Sequence, residues 1–174
     1  MNLLTSFPTT NHSDADWNSV ATAVNAWRGR LLHDFAQAEE AVSETLLSLA
    51  QDPRRGGDVN LRHLVGQRFQ DLQDVLGTGG PFAKEGAAAG DALTTFRGYE
   101  KVRTVLCHGS GRISLDRRGR WVLLMRILTF RGRQAERTTH AFEQETAETL
   151  GREIAQSSRR LCAVLGQVVG AVGS

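Results

Sequence analysis

The chain has 174 residues, 40% of them hydrophobic and 23% charged, with a net charge of +2, enough for one core and short for two domains. Two cysteines, Cys107 and Cys162, make neither a disulfide framework nor a zinc site, and no stretch approaches the roughly 20 apolar residues of a membrane helix. The start, Met1 to Pro8, lacks the basic residues and apolar run of a secretion signal, so a soluble cytoplasmic protein without a membrane partner is expected.

Residues 1–16, with Pro8, Asn11 and Ser13 and no periodicity, are expected to form a flexible lead. Residues 17–174 are expected to form a single domain. A first helix is predicted from Trp17 to Ala50, where Trp27, Leu31, Phe35, Ala38, Val42, Leu46 and Leu49 recur at steps of three and four. Pro53 and the glycine pair at 56 and 57 end it. A second is predicted from Asn60 to Leu76, with Leu61, Val65, Phe69, Leu72 and Leu76 on one side. The Gly/Ala-rich stretch from Gly77 to Gly90 predicts a loop. A third helix, Asp91 to Cys107, carries Phe96, Tyr99, Arg103 and Leu106 and stops before Gly109 and Gly111.

There the period changes from helical to alternating. Ile113 to Leu115, a turn over Asp116–Gly119, and Trp121 to Phe130 predict a β-hairpin, with a third strand near Glu136–Thr139. A last helix is predicted from Phe142 to Val169. The fold class expected is mainly α: an up-and-down bundle of four principal helices, with a small β-hairpin or meander at about 112–140 before the last helix. The long strand is apolar on both sides, and Val105 is an apolar residue on the expected outward side of its helix. Surface of that kind needs covering by the bundle or by another chain, and a homodimer is expected.

Charge is unevenly spread. Between Arg112 and Arg137, eight arginines face only Asp116 and Glu136, a surplus of six that leaves four negative charges on the remainder. Arg112, Arg117, Arg118 and Arg120 are candidate nucleic-acid contacts on this segment. The chain also uses 19 arginines against two lysines, so part of the clustering is compositional.

Arginine followed by histidine within four to six intervening residues occurs three times, as Arg28/His33, Arg103/His108 and Arg133/His140. With so many arginines, the spacing decides nothing by itself. At 100° per residue, Arg28 and His33 point to different sides of the first helix. Arg133 and His140 fall in turn and strand sequence. Arg103 lies instead within the apolar stripe of its helix, where a cation needs a carboxylate or phosphate. His108 sits at the helix end before Gly109. Glu39, inside the apolar side of the first helix, is the best partner for Arg103, with Glu100 in competition.

The run Tyr-Glu-Lys-Val-Arg-Thr-Val-Leu-Cys-His-Gly at 99–109 resembles the motif of the HEPN superfamily, and the order of elements over about 27–169 is loosely similar. The resemblance implies a metal-independent endoribonuclease of toxin–antitoxin or defence type, acting on RNA as a homodimer without a cofactor. It gives His108 the role of general acid or base and Arg103 that of phosphate holder. The chain departs at Thr104, where many active members carry Asn, Asp or His. The other reading is a non-catalytic interaction or nucleotide-binding module, for instance the partner of a nucleotidyltransferase-type antitoxin. Cys107 and His108 are adjacent and diverge on a helix, and no metal-ligand spacing or phosphate loop is present. Five residues along an ideal helix set Arg103 and His108 about 140° and about 7.5 Å apart. They meet only if the helix ends at Cys107 or if a second subunit supplies one of them.

Overall fold

The computed structural model describes residues 14–173, so the expected lead lies almost wholly outside the described residues. Helix α1 spans Asp14–Ala50 and α5 spans Gln144–Val172. They pack along each other because both keep one apolar side over many turns. Val24, Trp27, Leu31, Phe35, Ala38, Val42, Leu46 and Leu49 are buried on α1, and Ile154, Leu161, Leu165 and Val168 on α5. Polar bonds fix the register between them. The Trp27 indole donates to the Ala147 carbonyl at 2.8 Å, and the Ser158 hydroxyl to the Asp34 carbonyl at 2.8 Å.

Between these long helices lie α2 (Val65–Leu76), α3 (Ala83–Arg97) and α4 (Glu100–His108). This differs from expectation in three places. The second helix begins at Val65, and Leu61 and Leu64 stay exposed. The Gly/Ala stretch expected as a loop is helical from Ala83, because its small residues serve close packing. A Cβ at Gly86 would stand 2.5 Å from the Leu76 Cβ, so only glycine lets α3 approach α2 this closely. The single helix expected over 91–107 is broken at Gly98 and Tyr99, which makes α4 a separate helix. Val105, expected to face outward, is buried in the core and lends no support to an exposed apolar patch.

The chain then forms an antiparallel meander of β1 (Ser110–Leu115), β2 (Trp121–Arg131) and β3 (Gln134–Glu143), in the order β1-β2-β3. Its turns place Gly119 and Gly132 at φ 75° and 60°, where a side chain would be strained. Trp121, Leu123, Met125 and Ile127 are the buried alternate residues of β2. Trp121 and Phe142 both pack on Trp27, with ring centres 5.6 and 5.5 Å away, which seats the sheet against α1. The chain is thus mainly helical, with a small three-stranded sheet before the last helix. No helix among the described residues is long and apolar enough to cross a membrane.

Candidate functional site

Helix α4 is held from below by α1. The Arg28 guanidinium donates to the Leu106 carbonyl, from Nε at 2.9 Å and from a terminal nitrogen as well. That carbonyl belongs to the last turn, where helix acceptors lack intrahelical partners. Val105 and Leu106 anchor the helix in the core, while Glu100, Lys101, Thr104, Cys107 and His108 are exposed.

Arg103 emerges at the border between these two sides. Its Nε donates to Glu39 Oε1, and the two side chains are 30% and 18% exposed. The pair expected from the sequence is therefore present, and the Arg103 side chain is mostly buried. Its terminal nitrogens make no hydrogen bond among the described residues. Glu100, the competing partner, is engaged by Arg97 Nε at 3.2 Å. Thr104 turns its hydroxyl back to the Glu100 carbonyl at 2.9 Å.

The pair lies at the rim of a cleft of about 220 Å³ between α1, α2 and the α3–α4 corner. Phe35, Val65, Phe69 and Phe96 form its apolar walls, and Glu39, Glu100, Arg103 and Thr104 are its polar members. Phe69 stacks on Phe96 with ring centres 6.0 Å apart, and Phe35 meets Phe96 edge-on at 5.6 Å. The three rings are themselves almost fully buried, and the polar side of the cleft sets the carboxylates of Glu39 and Glu100 beside the free edge of Arg103.

Comparison with family models, with curated proteins and with solved structures gives no match.

His108 does not line the cleft. Helix α4 runs through His108 and closes on Gly109, so the imidazole does not swing back toward Arg103. Within one chain the two residues instead border opposite sides of an exposed stripe made by Glu100, Thr104 and Cys107. The other two arginine–histidine spacings do not converge either. His33 is exposed, and His140 lies opposite Met125 in the sheet.

The candidate nucleic-acid contacts divide into two kinds. Arg112, Arg117 and Arg118 are exposed on β1 and its turn. Arg120 is committed to the fold: it pairs with Asp116 at 2.8 Å and with Glu145 at the start of α5. Asp116 in turn accepts the backbone N–H groups of Arg118 and Arg120 at 2.8 and 2.9 Å. Those backbone bonds, with the Arg120 guanidinium, hold its carboxyl below the usual range.

Two features of the site went unread in the sequence. Phe35, Phe69 and Phe96 fall at core positions of their helices, and nothing in their spacing marks them as walls of an open cleft. The target of Arg28, a carbonyl 78 residues away, leaves no local signal.

Proposed function

We propose that this chain is a metal-independent endoribonuclease of HEPN type, working as a cytoplasmic homodimer in a toxin–antitoxin or defence system. The observation that carries the reading is the exposed stripe of α4, bordered by Arg103 on one side and His108 on the other. Two copies meeting on that stripe would set each Arg103 near the partner subunit's histidine. The finer architecture, an up-and-down bundle of four principal helices with α3 and α4 as one kinked element, belongs to the same reading.

The chemistry follows from the groups. One His108 imidazole accepts the proton of a ribose 2′-OH, and the 2′ oxygen attacks the adjacent phosphorus. The P–O5′ bond breaks, leaving a 2′,3′-cyclic phosphate. The departing 5′ oxygen takes its proton from the second imidazole. The free edge of Arg103 offers hydrogen bonds to the phosphorane oxygens. Neither step requires a metal ion or a cofactor.

The test is RNA cleavage by purified protein in EDTA beside His108→Ala. Cleavage should fall by about 10²-fold or more, the usual worth of general acid–base catalysis, with the melting temperature unchanged.

A second reading is favoured by the cleft itself, which holds the free edge of Arg103 but not His108. On this reading the chain is a non-catalytic nucleotide-binding or interaction module paired with a nucleotidyltransferase-type antitoxin. Absence of cleavage, with nucleotide binding lost in Arg103→Ala, would favour it.

A further inference from the structure

Side chains alternate along a strand, so the residues of β2 between the buried ones point away from the bundle. Val122, Leu124, Arg126, Leu128 and Phe130 share this outer face of the sheet. The register sets their neighbours. Arg112 of β1 lies opposite Leu124, Ser110 and Thr139 flank Arg126, and Arg137 of β3 lies opposite Leu128. Three arginines thus form a diagonal, one per strand, each displaced from the last by one strand and two residues. With strands roughly 4.8 Å apart and two residues advancing roughly 6.7 Å, successive Cα atoms lie about 8 Å apart.

All three are exposed and make no ion pair or side-chain hydrogen bond among the described residues. One acid, Glu143, shares the face, at its far corner opposite Val122. Beside the diagonal, Leu128 is 46% and Phe130 72% exposed. A groove of about 280 Å³ lies between Arg126 and Arg137, bordered by Ser110, Leu128 and Thr139. It opens where β1 stops and β2 runs on.

We propose that this outer face binds single-stranded nucleic acid, with Arg112, Arg126 and Arg137 on successive phosphates and Phe130 stacked on a base. Charge complementarity selects this occupant. Two copies face to face would bring six arginines together against two glutamates, whereas a polyanion neutralises the diagonal. An exposed aromatic ring beside cations suits unpaired bases, since a duplex keeps its bases stacked inside. That the strand is RNA rests on the ribonuclease reading; the binding face does not.

The experiment is fluorescence anisotropy of the full chain with a labelled oligouridylate of about 12 nucleotides, inside the roughly 4–16-nucleotide footprint of single-strand binders. Replacing the three arginines by alanine together should flatten the slope of log affinity against log salt by about 2, at about 0.7 per phosphate contact. Phe130→Ala should weaken binding about 5- to 150-fold through lost stacking. Melting temperatures and light-scattering mass should not change. An unchanged salt slope in the triple variant would overturn the proposal. So would a Phe130→Ala chain that dissociates from dimer to monomer yet keeps its RNA affinity, which would give the face to a second copy. Cleavage is scored on the same samples with His108→Ala alongside. Binding that needs the arginines, without any cleavage, keeps the face and removes the ribonuclease. Cleavage with arginine-independent binding does the reverse.

Discussion

Arg55 and Arg62, just beyond α1, carry the same group as Arg112, Arg126 and Arg137 on the sheet, but in different company. Arg55 reaches Glu85 at 2.8 Å, Asp52 at 3.1 Å and the Pro81 carbonyl at 3.2 Å, and its guanidinium lies 4.2 Å from the centre of the Phe82 ring. The Arg55–Glu85 bond pushes the guanidinium up and the carboxyl down in pKa. Arg62 donates at 2.7 Å to Asp71, a carboxylate only 1% exposed. These bonds fasten the connection after α1 onto α2 and α3. On the sheet, Asp116 is already taken by Arg120, and alternation sends Glu136 to the opposite face, so the diagonal stays uncompensated. A count of charges treats all these arginines alike. The distribution of carboxylates decides which become structure and which remain surface.

The contrast can be broken by substitution, beginning with the largest effect. Phe82→Ala removes a wholly buried ring from beneath Arg55 and should cost about 3–5 kcal/mol in urea unfolding. Arg62→Ala strands the buried Asp71 and should lower the denaturant midpoint by less than Phe82→Ala but more than any sheet arginine does. Arg103→Ala should cost about 1–2 kcal/mol, since the stranded Glu39 is partly wet; adding Glu39→Gln should return part of it in a double-mutant cycle. Arg126→Ala and Arg137→Ala should each stay within about 0.5 kcal/mol of the parent. A larger loss there would show that the diagonal is structural after all.

Acid sharpens the same comparison. Asp116 and Asp52 are both held below their ordinary value of 3.8, each chiefly by backbone N–H donors. A carboxylate depressed in the folded state contributes fully above that ordinary value, and the contribution fades as pH falls through the lowered native one. Thermal melts across that range should show stability declining with acid, and Asp116→Asn should remove part of the decline.

Much of the fold was legible because long elements repeat their signal. Trp27 through Leu49 keep helical phase over many turns; Trp121 through Ile127 reads as a strand but is apolar on both sides, so which alternate residues are buried was not legible. The failures came where small residues had two readings. Glycine and alanine at 86–90 look like loop in a chain and are packing surface in a helix. Gly98, inside an apparently continuous pattern, breaks the helix, and Val105 is buried although the pattern put it outward. At the site, Arg103 and Glu39 stood out because each is a charge placed in an apolar stripe. The place of His108 depended on where α4 ends, which the pattern left open between Cys107 and Gly109.

The break at Gly98 also divides the motif helix from the body that surrounds it. Helix α4 has nine residues, too few to persist alone, and it keeps its place through Leu106, the Arg28 grip on its last turn and the Arg103–Glu39 pair. Amide protons of α4 should therefore exchange with solvent sooner than those in the middle of α1 or α5, as a small cooperative unit that opens without the rest. Whatever occupies the cleft at Arg103 would slow that exchange, giving a readout of ligand binding at the site before any substrate is identified.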